Sequence, residues 1–135
     1  MSGLTVFLAR LIGLLALLAG GACLIRGYAM IEATIADGPV MFVYAVISIA
    51  AGAAMVVGHN VWSGGALPVV VTLTGWLILA KGVMLAFVAP EALTHLLGGL
   101  RYDEHYPFYV APSLIIGLYL TFAGFTARPS NAGPK

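Results

Sequence analysis

Four apolar runs, each of about twenty residues, follow one another along this 135-residue chain with only short polar links between them. They extend from about Leu4 to Ile25, from Pro39 to about Val57, from about Leu67 to Ala89 and from about Phe108 to Ala127. A helix needs about 20 apolar residues to cross the hydrocarbon core of a bilayer. The backbone in lipid must satisfy its own hydrogen bonds, and no run shows the alternation of a barrel strand, so each run predicts a helix. Composition points the same way. Charged residues make up 8% of the chain, against about 25% in a soluble domain, too few to cover a surface facing water. The expectation is an all-α integral membrane four-helix bundle forming one domain over residues 1–135, with a polar tail from Arg128 to Lys135. The formal net charge of +1 excludes the broad basic field that nucleic-acid binding needs.

The start of the chain could be taken for a signal peptide, with Arg10 ahead of an apolar run. The charge sits inside the segment, however, and three further runs follow, so a retained first helix is the better reading. Cys23, after Gly20, Gly21 and Ala22, gives a faint lipoprotein signal, but Gly20 stands where a large aliphatic residue belongs. A buried small cysteine is the simpler account. As the one cysteine, it also rules out an internal disulfide.

The links differ in kind. Arg26 to Gly38 holds Glu32 and Asp37. GHNVWSGGA, from Gly58 to Ala66, is a short turn. Pro90 to Pro107 is longest and opens with PEALTHLLGGLR, where Ala92, Leu93, Leu96, Leu97 and Leu100 recur at helical spacing. Pro90 and Glu91 suit a first turn, and the segment predicts a short amphipathic helix at the interface, interrupted at Gly98 and Gly99. Pro112 either kinks the fourth helix or moves its start. Four spans place both termini on one side, with Arg10, Arg128 and Lys135, against Arg26 and Arg101 on the other. The positive-inside rule therefore favours cytoplasmic termini.

A weak internal repeat suggests two tandem helix hairpins. Leu11, Gly13, Leu15, Leu17 and Gly20 share their spacing with Leu73, Gly75, Leu77, Leu79 and Gly82. Tyr44, Ser48 and Gly52 share theirs with Tyr109, Ser113 and Gly117. Residues four apart lie on one helix face. Small residues at that spacing favour close helix packing over a permeation path. A true repeat would relate hairpins of like orientation about an axis along the membrane normal.

Lys81 carries most of the functional information. It falls a little past the middle of the third span, roughly 12 Å short of the end near Ala89 at 1.5 Å per residue. Helical side chains lean toward the N-terminus, here away from that end, so the amine cannot readily reach water. A central lysine costs about 2.5–3.5 kcal/mol on insertion scales. No Asp or Glu lies in any span. Tyr44, Ser48, Ser113 and Tyr119 are candidate polar neighbours if the even-numbered helices flank the third. A carboxylate from another subunit, a wet cavity or a desolvated neutral amine are the other solutions. A lysine bonded only to hydroxyls and carbonyls is the structural alternative.

Two further groups are weaker. In the turn, Trp62 fits an interfacial anchor, while His59 and Asn60 can cap the second helix and bond its last carbonyls. That reading outweighs His59 as proton acceptor or metal ligand. In the third link, His95, Asp103, Glu104 and His105 include zinc-ligand residue types. Their spacing matches no strong motif, and Tyr102, Tyr106, Phe108 and Tyr109 look like an aromatic belt around a solvated loop. No phosphate loop, HExxH pair or nucleophile elbow is present in the sequence, and no cofactor is implied.

FLARLIGLLALLAGG resembles the opening of DoxX-like small four-helix membrane proteins. GHNVWSGGALPVVVTLTGWLILAKG is similar to bacterial inner-membrane proteins with an HN-x-W turn before a GW…KG helix. These resemblances imply a four-helix bundle in a bacterial inner membrane and carry over no activity. The expected function is a non-enzymatic accessory or scaffold subunit of a membrane complex. An oligomeric transporter or channel with Lys81 lining the path is the second reading, and a membrane enzyme or metal protein using His59, His95 or His105 the third. The expected partners are the bilayer and either further copies of the chain or a larger complex.

Overall fold

The computed structural model describes residues 2–127, so Arg128, Lys135 and the rest of the tail lie outside the described residues. Six helices follow in order: α1 (Gly3–Arg26), α2 (Tyr28–Ala36), α3 (Gly38–Gly58), α4 (Ala66–Phe87), α5 (Pro90–Gly99) and α6 (Tyr106–Thr126). Helices α1, α3, α4 and α6 are long and apolar enough to cross a membrane. At 1.5 Å per residue, the 22 residues of α4 extend about 33 Å, enough for a hydrocarbon core of about 30 Å. The chain is thus a multi-pass helical membrane protein.

Local chemistry sets the helix ends. The Ser2 hydroxyl caps α1 by accepting from the Thr5 amide at 3.2 Å. Asp37 caps α3 by accepting from the Val40 amide at 3.1 Å, with Pro39 in the first turn. Gly27 separates α1 from α2 with a φ of 75°, a conformation costly for residues with a Cβ. The expected link after Arg26 therefore contains a two-turn helix, α2, which the single apolar-run criterion missed. The third span ends at Phe87, two residues short of the expected Ala89, and the fourth starts at Tyr106, two residues before Phe108. Helix α6 runs through Pro112, resolving the choice between a later start and a proline within the helix.

The spanning helices pack most closely as two pairs, α3 with α4 and α1 with α6; contacts of α4 with α1 and α6 join them. Glycine makes the close pairing possible. A Cβ on Gly82 would stand 2.7 Å from the Ile49 amide nitrogen, and one on Gly13 would stand 2.5 Å from the Thr121 amide nitrogen. Gly52 meets the Leu79 backbone more closely still. Small residues let backbones approach where lipid removes the hydrophobic drive for association.

Two clusters fill the remaining space. Ala9, Ile12, Met55, Leu67, Val71 and Leu120 pack near the end where α1 starts and α6 finishes. At the opposite end, Ile35 of α2, Met41 of α3 and Leu93 of α5 form a smaller cluster with Leu85 and Val88. The short helices α2 and α5 thereby close that end of the α3–α4 pair.

Replacing Gly82 with alanine should lower stability by about 1–3 kcal/mol, the usual cost of overpacking. Gly21, with nothing within 4 Å of an added Cβ, should accept alanine without loss. Thermal unfolding of the two variants in the same detergent provides the comparison.

Candidate functional site

Lys81 lies six residues before the end of α4 at Phe87, about 9 Å along the axis. Gly82 beside it is buried against Ile49 and Ser48, which turns Lys81 toward the outside of the pair. Its Nζ donates a 2.8 Å hydrogen bond to the Tyr44 hydroxyl. The same nitrogen stands 4.8 Å from the Tyr44 ring centroid, within range of a cation–π contact. Tyr44 is six residues from the start of α3 at Gly38, so both groups occupy the same depth. Both residues are exposed on the outer surface of the protein.

The other expected neighbours are elsewhere. Ser48 is buried within the α3–α4 contact, 6% exposed. Ser113 donates back to the Val110 carbonyl of its own helix at 2.7 Å and lies beside Gly20 of α1. Tyr119 is exposed on α6. Since α6 pairs with α1 and α3 with α4, only Tyr44 of the four reaches Lys81 among the described residues. The identities were legible in the sequence, whereas the helix pairing that selects among them was not.

Thr72, 1% exposed, organises the turn between α3 and α4. Its hydroxyl accepts from the Val61 amide at 3.0 Å and lies 2.9 Å from the Val61 carbonyl and 3.4 Å from the His59 carbonyl. The expected side-chain cap by His59 and Asn60 is corrected. The backbone amide of His59, not its ring, bonds the Met55 carbonyl at 2.7 Å, and Asn60 Oδ1 accepts from Trp62 Nε1 at 2.7 Å. The His59 ring is buried, and its Nε2 has no hydrogen-bond partner among the described residues. Trp62 is exposed.

At the other end, His95 is exposed on α5, while Glu104 pairs with Arg101 and His105 Nδ1 lies 3.3 Å from the Arg101 carbonyl. Among the described residues no group of three or more His, Cys, Asp or Glu side chains could hold a metal ion. The expected aromatic belt is in part an aromatic cluster. Tyr102 stacks on Tyr109 at 4.5 Å and stands 5.9 Å from Tyr106 and Tyr28. Tyr106 is buried and donates to the Cys23 carbonyl at 2.8 Å, tying α6 to the end of α1. Tyr28 reaches the cluster from α2, a helix too short for an apolar-run criterion to detect. Phe108 is exposed.

Loss of hydration raises the pKa of Tyr28 above its ordinary 10.0, with Glu32 and Asp103 adding to the shift. Loss of hydration also raises that of Tyr102, followed by the neighbouring Cys23, Tyr109 and Tyr28 groups.

These raised values mean that the folded protein holds both phenolic protons longer than the unfolded chain. Their contribution to stability should be intact below pH 10.0 and fall as pH rises through the folded values. Tyrosinate absorbance should show a late-titrating component that shrinks by two groups in the Tyr28→Phe, Tyr102→Phe double variant. Separately, Thr72→Val should cost about 1–3 kcal/mol by leaving buried backbone groups unpaired, measurable as a lower thermal midpoint.

No protein-family model matches the chain, and neither the curated proteins nor the solved structures yield a match.

Proposed function

We propose that this protein is a non-enzymatic accessory or scaffold subunit of a bacterial inner-membrane complex, with cytoplasmic termini. The outward position of Lys81 carries the reading. An intramembrane amine is costly and is a functional candidate by default. This one faces the surroundings of the bundle rather than its interior, where a pore within one protomer would need it. The close glycine contacts within both helix pairs are those of a packed support. The DoxX-like opening and the HN-x-W turn fit a small bundle of this kind.

The bundle reads as two tandem units, each comprising a long helix, a short helix and a long helix. At one constant offset α1 aligns with α4 and α2 with α5; at a second, α3 aligns with α6. The aligned positions make matching contacts. Gly13 faces Leu120 and Gly75 faces the aligned Met55. Gly20 faces Ser113 and Leu114, while Gly82 faces Ser48 and Ile49. Gly117 meets Leu17, and Gly52 meets Leu79. Arg10 bonds the Gly124 carbonyl, and the aligned Thr72 lies within hydrogen-bond distance of the His59 carbonyl. Such matching supports a pseudo-twofold axis along the membrane normal, with the second long helix of each unit packing on the first long helix of the other. In this arrangement α5 is the interfacial amphipathic helix, burying Leu93 while Thr94 and His95 stay exposed.

A transporter assembled from several copies is the second reading, because an outward Lys81 could also line a path between protomers. Purification from native membranes in mild detergent separates the two. A scaffold should bring a stoichiometric second protein with it. Recovery of a homo-oligomer alone, together with solute flux in proteoliposomes that is lost on Lys81→Met, would establish the transporter instead.

A further inference from the structure

We propose that the outer face of α3 and α4 around Lys81 and Tyr44 seats one transmembrane helix of a partner protein, carrying an Asp or Glu at the depth of Lys81. The inference rests on the scaffold reading and specifies the chemistry of its partner. An ammonium has three donors, and Tyr44 is its one hydrogen-bond acceptor among the described residues. All five acidic residues of the chain lie in α2, in α5 or in the links beside them, and none lies in a spanning helix. A complementary charge at this depth would therefore come from another molecule.

The surface beside the pair suits a helix. Val40, Val43, Tyr44 and Ile47 follow the helical spacing that forms one stripe, and all are well exposed. With Pro39 they line a shallow apolar depression of about 370 Å³. The depression starts at the first turn of α3 and runs down to the level of Lys81, a shape that receives the side-chain ridge of a neighbouring helix. A second copy of this chain is a poor occupant. Symmetric pairing through this face would set one Lys81 near another, and like charges repel strongly where water is scarce. An anionic lipid would carry its charge at the bilayer surface, about 9 Å along the axis from Lys81.

The other half of the bundle supplies a comparison. Ala19 aligns with Lys81, and Tyr109 aligns with Tyr44. Tyr109 gives its hydroxyl to the Leu100 carbonyl at 2.9 Å and stacks on Tyr102. Of two aligned faces, one holds an amine and a tyrosine at the surface, while the other has its tyrosine engaged and no charge.

The test uses the full-length protein in its native membrane, with a photo-crosslinking residue replacing Val43. The expected adduct is one membrane protein, crosslinked through a transmembrane segment that contains Asp or Glu. Lys81→Glu should reduce the adduct and co-purification about tenfold or more, as loss of a buried charge pair does. Exchanging the partner's carboxylate residue for lysine should restore both. Ala19→Met, on the aligned face, should leave retention unchanged. Thermal midpoints of the Lys81→Glu and Lys81→Met proteins close to the parent would show that the bundle itself is intact. Adducts only with a second copy or with phospholipid, or retention unaffected by Lys81→Met and Lys81→Glu, would overturn the proposal. If a stoichiometric partner co-purifies without a Val43 adduct, the docking face is wrong and the scaffold reading survives. Absence of any stoichiometric partner overturns both.

Discussion

Backbone contact between helices, permitted by glycine, is the constraint on which the arrangement depends. Lipid gives an apolar helix face no reason to leave it for another apolar face, so association has to come from close packing and polar contacts. Gly13 against Thr121, Gly52 against Leu79 and Gly82 against Ile49 provide the first. Arg10, donating a 2.8 Å bond to the Gly124 carbonyl, provides the second for α1 and α6. Its guanidinium also stands 5.1 Å from the Phe125 ring centroid. These contacts set the orientation of each helix about its axis. That rotation determines that Ser48 is enclosed while Tyr44 and Lys81 are exposed.

The sequence disclosed the four spanning helices because a long apolar run has few solutions in lipid. It disclosed Pro39 in a first turn, the helix after Pro90 and the isolation of Lys81 from carboxylates. Helix α2 escaped notice because YAMIEATIA is short and carries Glu32, which resembled a polar link. The pairing of helices also escaped. In water, hydropathy separates inner from outer positions, whereas here both faces of each span are apolar. Leu77 is well exposed and Val71 fully buried, with nothing in their hydropathy to distinguish them. The glycines at matched spacing were the one visible sign of packed faces, and they did not name the partner helix.

The candidate site was legible to the same degree. Lys81 stood out because its charge is unlike everything near it in sequence. Selecting Tyr44 over Ser48, Ser113 and Tyr119 needed knowledge of the helix pairs. The His59 reading failed for a local reason: the ring turned inward at the end of α3, leaving the main-chain amide to satisfy Met55. Tyr106 was expected at the membrane surface, yet its ring is enclosed because the Cys23 carbonyl at the end of α1 receives its hydroxyl.

The pairing of α1 with α6 sets an order of assembly. Of the six described helices, ribosomes deliver α1 before all the others and α6 after them. Helices α3 and α4 are joined by a short turn and can associate as soon as both have entered the bilayer, since local contacts form with little loop-closure cost. Helix α1 has no such neighbour in time. Its faces at Gly13 and Gly20, and the guanidinium of Arg10, await a segment separated from them by most of the chain. The contacts of α1 with α6 can therefore form only after those of α3 with α4 have become possible, once α6 has followed the hairpin into the bilayer.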